Sequence, residues 1–141
     1  MSFEMTEEMR IKIKTLLIKH EGFRNHLYKD SRDKWTIGIG HNIDDLGLKD
    51  KFINEVFYDD IDDHVKFLSS FEWFHALDEN RQCALIDLAY NVGDKNFENF
   101  VEMIKALESK NMDKASQEIL DSKISKERAQ DLAEILLTGN L

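Results

Sequence analysis

Proline is absent from this chain, and cysteine occurs once. Without proline there is no polyproline segment and no proline kink in any helix. A single cysteine excludes an internal disulfide and suits a reducing compartment. Cys83 is expected to pack as a small core hydrophobe rather than to act as a nucleophile. Basic charge is scarce as well. Nineteen Lys and Arg face 28 Asp and Glu, a net charge of -9. Both halves are acidic: residues 1–70 hold 11 basic and 14 acidic side chains, and residues 71–141 hold 8 and 14. That balance argues against nucleic acid as a partner, because such binding rests on a basic footprint. No apolar run approaches ~18 residues, so stable membrane insertion is not expected. The first ten residues are acidic and have no apolar core, so they do not read as a secretory signal.

What is present suits one domain with a single core: 141 residues, 42% of them hydrophobic, and no repeat, low-complexity tract or linker. Helical periodicity dominates. A first helix is expected from about Thr6 to His20, with Thr6 as N-cap and Met9, Ile13, Leu16 and Leu17 along one face. Gly22 then ends it. Residues 26–41 read as a hairpin or small sheet. Tyr28, Trp35, Ile37 and Ile39 are strand formers, and Ser31 to Lys34 make the turn. The alternating Gly38 and Gly40 suggest that another backbone or a ligand comes close. Further helices are expected near 49–69, 79–92, 96–109, 113–121 and 125–137, with Asp45 or a neighbour capping a short lead-in turn. In the last helix Ala129, Leu132, Ala133 and Leu136 keep one face, and Gly139 stands at its C-terminal stop. The fold class is α+β and mostly helical, with its small sheet near the N-terminus.

The run from Glu21 to His41 carries the chemistry. Glu21 closes a helix, Asp30 follows nine residues later, and Thr36 six after that. Two carboxyl groups near a hydroxyl are the parts needed to cleave a glycosidic bond. One protonates the leaving oxygen, and the other activates a water or attacks the sugar. Taken singly, Glu21 reads as a solvated helix end, Asp30 as a turn former and Thr36 as a strand former. Asp59, Asp60, Asp62, Asp63 and His64 invite a metal reading. Consecutive helical positions scatter around the axis, however, so a solvated helix face is the better reading.

The run Glu21-Gly22, Tyr28-Lys29-Asp30 and Thr36-Ile37-Gly38-Ile39-Gly40-His41 resembles the active-site segment of the phage-type lysozymes. These are the muramidases of glycoside hydrolase family 24, many of them endolysins. The resemblance extends through Val56 to Ile61, the helix Ala84 to Gly93, Phe100 to Leu107, Met112 to Ala115, Arg128-Ala129 and Thr138-Gly139. The small lobe is short, with about twenty residues between His41 and Asp60. The resemblance implies a lysozyme-like two-lobed fold forming one catalytic domain over 1–141. Its small sheet lobe would cover about 21–50, and its helical lobe about 51–141 with the helix of about 6–20.

It further implies an endolysin-like muramidase that hydrolyses the β-1,4 bond between N-acetylmuramic acid and N-acetylglucosamine. Glu21 would be the general acid, with a pKa raised by partial burial or a neighbouring carboxylate. Asp30 would direct the water and Thr36 would orient it. If the reaction inverts, the two carboxyls stand about 6.5–9.5 Å apart. Asn91, Gly38 and Arg128 are candidate substrate contacts, with a helix C-cap as the alternative for Asn91 and a structural role as the alternative for Arg128. His41 and Asp60 are expected to be structural, as an ion pair. Trp73, Phe71 and Phe74 are expected in the core or a helix junction.

No metal or organic cofactor is implied, and the implied partner is bacterial peptidoglycan, bound by a monomer. Localisation would be the host cytoplasm before lysis, with release through a holin-like partner. The acidic charge predicts weak long-range attraction to an anionic wall. Two departures stand out. Asp33 occupies a turn position where glycine is common in the family, and its charge is expected to raise the pKa of Glu21 or Asp30. Asp131 replaces a basic residue of the closing helix. Three other readings stay open: a lytic transglycosylase, a non-catalytic lysozyme-like domain that binds glycan or serves a structural role, and a plain helical interaction protein.

Overall fold

A computed structural model describes all residues 1–141. It is 65% helical with one small antiparallel sheet, a mostly helical α+β, lysozyme-like fold. The chain forms two compact units, Met1–Ile53 and Asn54–Leu141. No helix is long and apolar enough to cross a membrane.

The first unit opens with α1 (Glu7–Glu21). The Thr6 hydroxyl accepts the Met9 N–H at 3.1 Å, satisfying one of the free donors of the first turn. Gly22 stops the helix at φ 80°, donating its N–H to the Ile18 carbonyl. The predicted apolar face of Met9, Ile13, Leu16 and Leu17 is exposed, and α1 has no buried residue.

The sheet of this unit runs in the order β1 (Arg24–Lys29), β2 (Trp35–Gly38) and β3 (His41–Asn42). Tyr28 pairs with Thr36, and Thr36 with Asn42, so Thr36 has a strand on both sides. It is also buried. Five residues, Asp30 to Lys34, turn β1 into β2. Asp33 adopts φ 62° there, the left-handed region that Asp tolerates better than most non-glycine residues. This conformation explains how Asp33 fits where a glycine would be usual.

The lead-in helix α2 (Ile43–Leu46) is capped by Asn42, whose Oδ1 accepts the Asp45 N–H at 3.0 Å. Asp45 therefore caps nothing. Its carboxylate accepts from Asn42 Nδ2 at 2.9 Å and from Lys34 Nζ at 3.1 Å. The next helix, α3 (Asp50–Leu68), starts in the first unit and continues into the second.

The second unit adds α4 (Glu72–His75), α5 (Glu79–Val92), α6 (Asp94–Glu98), α7 (Val101–Glu108), α8 (Met112–Leu120) and α9 (Lys126–Thr138). Its core centres on Leu85, Leu88 and Ala89 of α5, with Phe97, Met103, Leu107, Ile119 and Leu136 around them. Ala129, Leu132, Ala133 and Leu136 are all buried, as their spacing predicts. Phe74 is buried, and Phe71 stacks on Trp73 with centroids 5.1 Å apart, as expected of a helix junction.

Three expectations need correction here. Cys83 is exposed, because α5 turns Ala84, Leu85 and Leu88 inward and leaves Cys83 off that face. The helix expected over 96–109 is broken at Asn99 and Phe100 into α6 and α7, with Phe100 at ψ 57°. His64 is not a solvated face residue. Its Nδ1 lies 2.7 Å from Asp94 Oδ1 at the start of α6, and its ring meets Tyr90 edge-on.

Arg81 ties the ends of two helices together. Its Nε donates to the Leu136 carbonyl at 2.7 Å and its Nη2 to the Leu137 carbonyl at 3.1 Å. Those are free acceptors of the last turn of α9, where a cation is also favoured by the helix dipole.

Candidate active site

Lys34 joins two of the three residues that the sequence singles out. Its N–H donates to Asp30 Oδ1 at 2.9 Å, and its carbonyl accepts the Thr36 hydroxyl at 2.8 Å. Asp30 and Thr36 are thus fastened to opposite poles of one residue. The Arg32 N–H adds a second bond to Asp30 Oδ1 at 2.8 Å. Asp30 closes the loop on its own main chain too, donating its N–H to the Lys34 carbonyl and accepting from Asp33.

This geometry sets the charge of Asp30. The Lys34 N–H holds its pKa below the ordinary aspartate value, helped by the Arg32 N–H and by the Arg32 and Lys34 cations, against some desolvation. The direction is opposite to the rise expected from Asp33. Asp33 has its own cation, Lys29 Nζ, at 3.7 Å. Asp30 is therefore a carboxylate at neutral pH, with Oδ1 occupied by the turn. Thr36 spends its one hydroxyl hydrogen on Lys34, which leaves its oxygen to accept.

Glu21 reaches the sheet by another contact. Gly40, in the turn between β2 and β3, lies against its side chain. A Cβ placed on Gly40 would stand 2.9 Å from Glu21 Oε2, 3.0 Å from Cγ and 3.1 Å from Cβ. Glu21 is exposed, and within the first unit no hydrogen bond or ion pair holds its carboxylate. The expected partial burial is absent. Glu21 is the last residue of α1, and its side chain lies against Gly40.

Of the candidate contacts, Gly38 has φ 70° with nothing within 4 Å of the position a Cβ would take. It leaves open space beside β2. His41 Nε2 lies 2.6 Å from the Gly47 carbonyl. A carbonyl only accepts, so Nε2 carries the hydrogen. With Gly38, Ile37 and Phe52, His41 lines an apolar pocket of about 610 Å³ within the first unit. Asp60 is exposed on α3.

In the second unit, Asn91 stands exposed in the last turn of α5, and Gly93, at φ 85°, makes the helix stop. Asn91 lines a cavity of about 1030 Å³ with Asn96, Asn99, Glu118 and Ser125. Arg128 Nε contacts Asp87 Oδ1 at 3.0 Å, linking α9 to α5. Asp131 is exposed on α9.

Two residues escaped the sequence reading. The main-chain role of Lys34 leaves no mark in a side-chain pattern. Gly40 did leave one, the alternating glycines, which signalled a close approach without naming the partner.

No curated protein matches the chain. The sequence pattern of the phage lysozyme family matches residues 18–134, a span that contains Glu21, Asp30 and Thr36, the first unit from the end of α1 onward, and most of the second unit. With that coverage and this fold, the chain belongs to the phage lysozyme family, the peptidoglycan-hydrolysing lysozymes and endolysins.

Proposed function

We propose that the protein is an N-acetylmuramidase that hydrolyses the β-1,4 bond between N-acetylmuramic acid and N-acetylglucosamine. The observation that carries this reading is the double attachment of Asp30 and Thr36 to Lys34. It ties an ionised carboxylate and an accepting hydroxyl oxygen to one and the same residue, which supports a shared water. A water between them can give one hydrogen to each acceptor and turn its free lone pair to the anomeric carbon.

Bond cleavage then balances simply. The water oxygen bonds to the anomeric carbon while Asp30 takes a proton from it. The glycosidic C–O bond breaks, and Glu21 delivers its proton to the departing oxygen. Attack from the face opposite the leaving group inverts the anomeric centre. Asn91, Gly38 and Arg128 are the proposed saccharide contacts. The open space at Gly38 and the polar lining beside Asn91 support the first two.

The test is mass spectrometry of purified peptidoglycan digested by the protein, with proton NMR of the first product formed. Muropeptides with a reducing N-acetylmuramic acid end, released first as the α anomer, are the expected result. A 1,6-anhydro product would make the protein a lytic transglycosylase. A β anomer released first would make Asp30 a nucleophile. No cleavage of several walls across a range of pH would leave a non-catalytic lysozyme-like domain.

A further inference from the structure

Gly38 and Gly40 make the same demand on the backbone, with φ of 70° and 68°. Their surroundings differ. At Gly38 an added Cβ meets nothing within 4 Å, whereas at Gly40 its three nearest atoms all belong to Glu21. Two of those are Cβ and Cγ, at 3.1 and 3.0 Å. A carboxylate tip can swing aside on its own torsions. Cβ cannot, because the end of α1 fixes it. No hydrogen bond inside the first unit holds the Glu21 carboxylate, so packing on a bare α-carbon is what directs it.

We infer that Gly40 is a positioning residue for Glu21: its missing side chain is the space in which the stem of the proposed acid lies. The inference rests on the muramidase reading for its catalytic meaning and on geometry alone for the contact. Positive φ explains why position 40 favours glycine, but it does not couple position 40 to Glu21. The two roles can therefore be separated.

The experiment is a double-mutant cycle of Gly40→Ala and Glu21→Ala, read by denaturant unfolding. Backbone strain at position 40 is the same in both backgrounds and cancels. Glu21→Ala removes Cγ and Oε2, so Gly40→Ala should lower the midpoint less in that background than beside Glu21. If Gly40→Ala alone does not fold and the double variant does, the coupling is shown outright. The strain control is Gly47→Ala, at φ 60° with nothing within 4 Å, which should not couple to Glu21.

On peptidoglycan, folded Gly40→Ala should lose kcat on the order of 100-fold. KM should stay nearly constant, and the alkaline limb of the pH profile should move. Gly47→Ala should keep that limb in place. Additive stabilities would overturn the inference while leaving the muramidase intact. Coupling with a kcat loss no larger than that of Gly47→Ala would also overturn it. Coupling in a protein whose wild type cleaves no wall would remove the catalytic meaning of the contact, and the fault would then lie with the proposed function.

Discussion

Every buried apolar side chain of the protein lies between Leu68 and Leu136, whereas in residues 1–53 the one buried side chain is Thr36. The second unit is held as most helical proteins are, by apolar faces turned onto one another. The first is held by short-range polar devices: the caps at Thr6 and Asn42, the Asp30 turn, and glycines at positive φ. The Trp35 N–H on Asp44 Oδ2 at 2.7 Å belongs to the same set. Such devices contribute about 1 kcal/mol each, while a large core side chain contributes several. The difference teaches where robustness and chemistry reside. The proposed acid, base and hydroxyl all occupy the weakly buried unit, where geometry is set by hydrogen bonds rather than by volume.

The largest effect on stability is expected in the second unit. Phe97→Ala removes a fully buried ring packed against Phe67, Phe71 and Phe100. It should cost about 3–5 kcal/mol in urea unfolding. Per folded molecule, hydrolysis of peptidoglycan should be little changed. An equal loss of activity per folded molecule would tie the chemistry to the core.

Asp30→Asn is the counterpart in the first unit. The amide oxygen can still accept the Lys34 and Arg32 N–H groups, so the turn should survive, while the charge is gone. Activity should fall roughly 100-fold if Asp30 is the base. Acid stability supplies a second reading. The lowered Asp30 pKa means that the unfolded chain takes up the proton first as pH falls. Its stabilising contribution is therefore fully present above the ordinary aspartate pKa of about 3.9 and is lost as pH drops through the lower folded value. Asp45 and Asp78, also lowered, act in the same direction. Unfolding midpoints measured from pH 6 to pH 2 should decline less steeply in Asp30→Asn than in wild type.

A smaller effect sharpens the same contrast. Thr6→Ala removes the cap of α1, the helix that ends at Glu21, and should cost about 1 kcal/mol. Hydrogen exchange should rise in the first turn of α1, with the amides of α5 unaffected.

The two units also differed in how legible they were. In the second, spacing alone announced the buried face of α9, and Ser125 marked its start, where its hydroxyl accepts the Arg128 N–H. Helix pattern could not show that α7 begins afresh after Phe100, because neither glycine nor proline marks the break. Nor could it tell which face of α5 holds Cys83, since a small apolar residue fits either. In the first unit, Thr6, Gly22 and the Ser31–Lys34 turn were readable because each residue acts on its own backbone. Asn42 as cap in place of Asp45 was not, since Asn and Asp are equal candidates and three stand within four positions. The site was legible as residue types in order. What tied them together was not, because Lys34 works through its main chain and Gly40 through an absent side chain.

The central claim is that Glu21 carries chemistry and not structure. It is tested most directly by measuring peptidoglycan cleavage and unfolding on one preparation of Glu21→Gln. Muropeptide release should vanish while the unfolding midpoint stays within experimental error of wild type. Undiminished release from folded Glu21→Gln would contradict it.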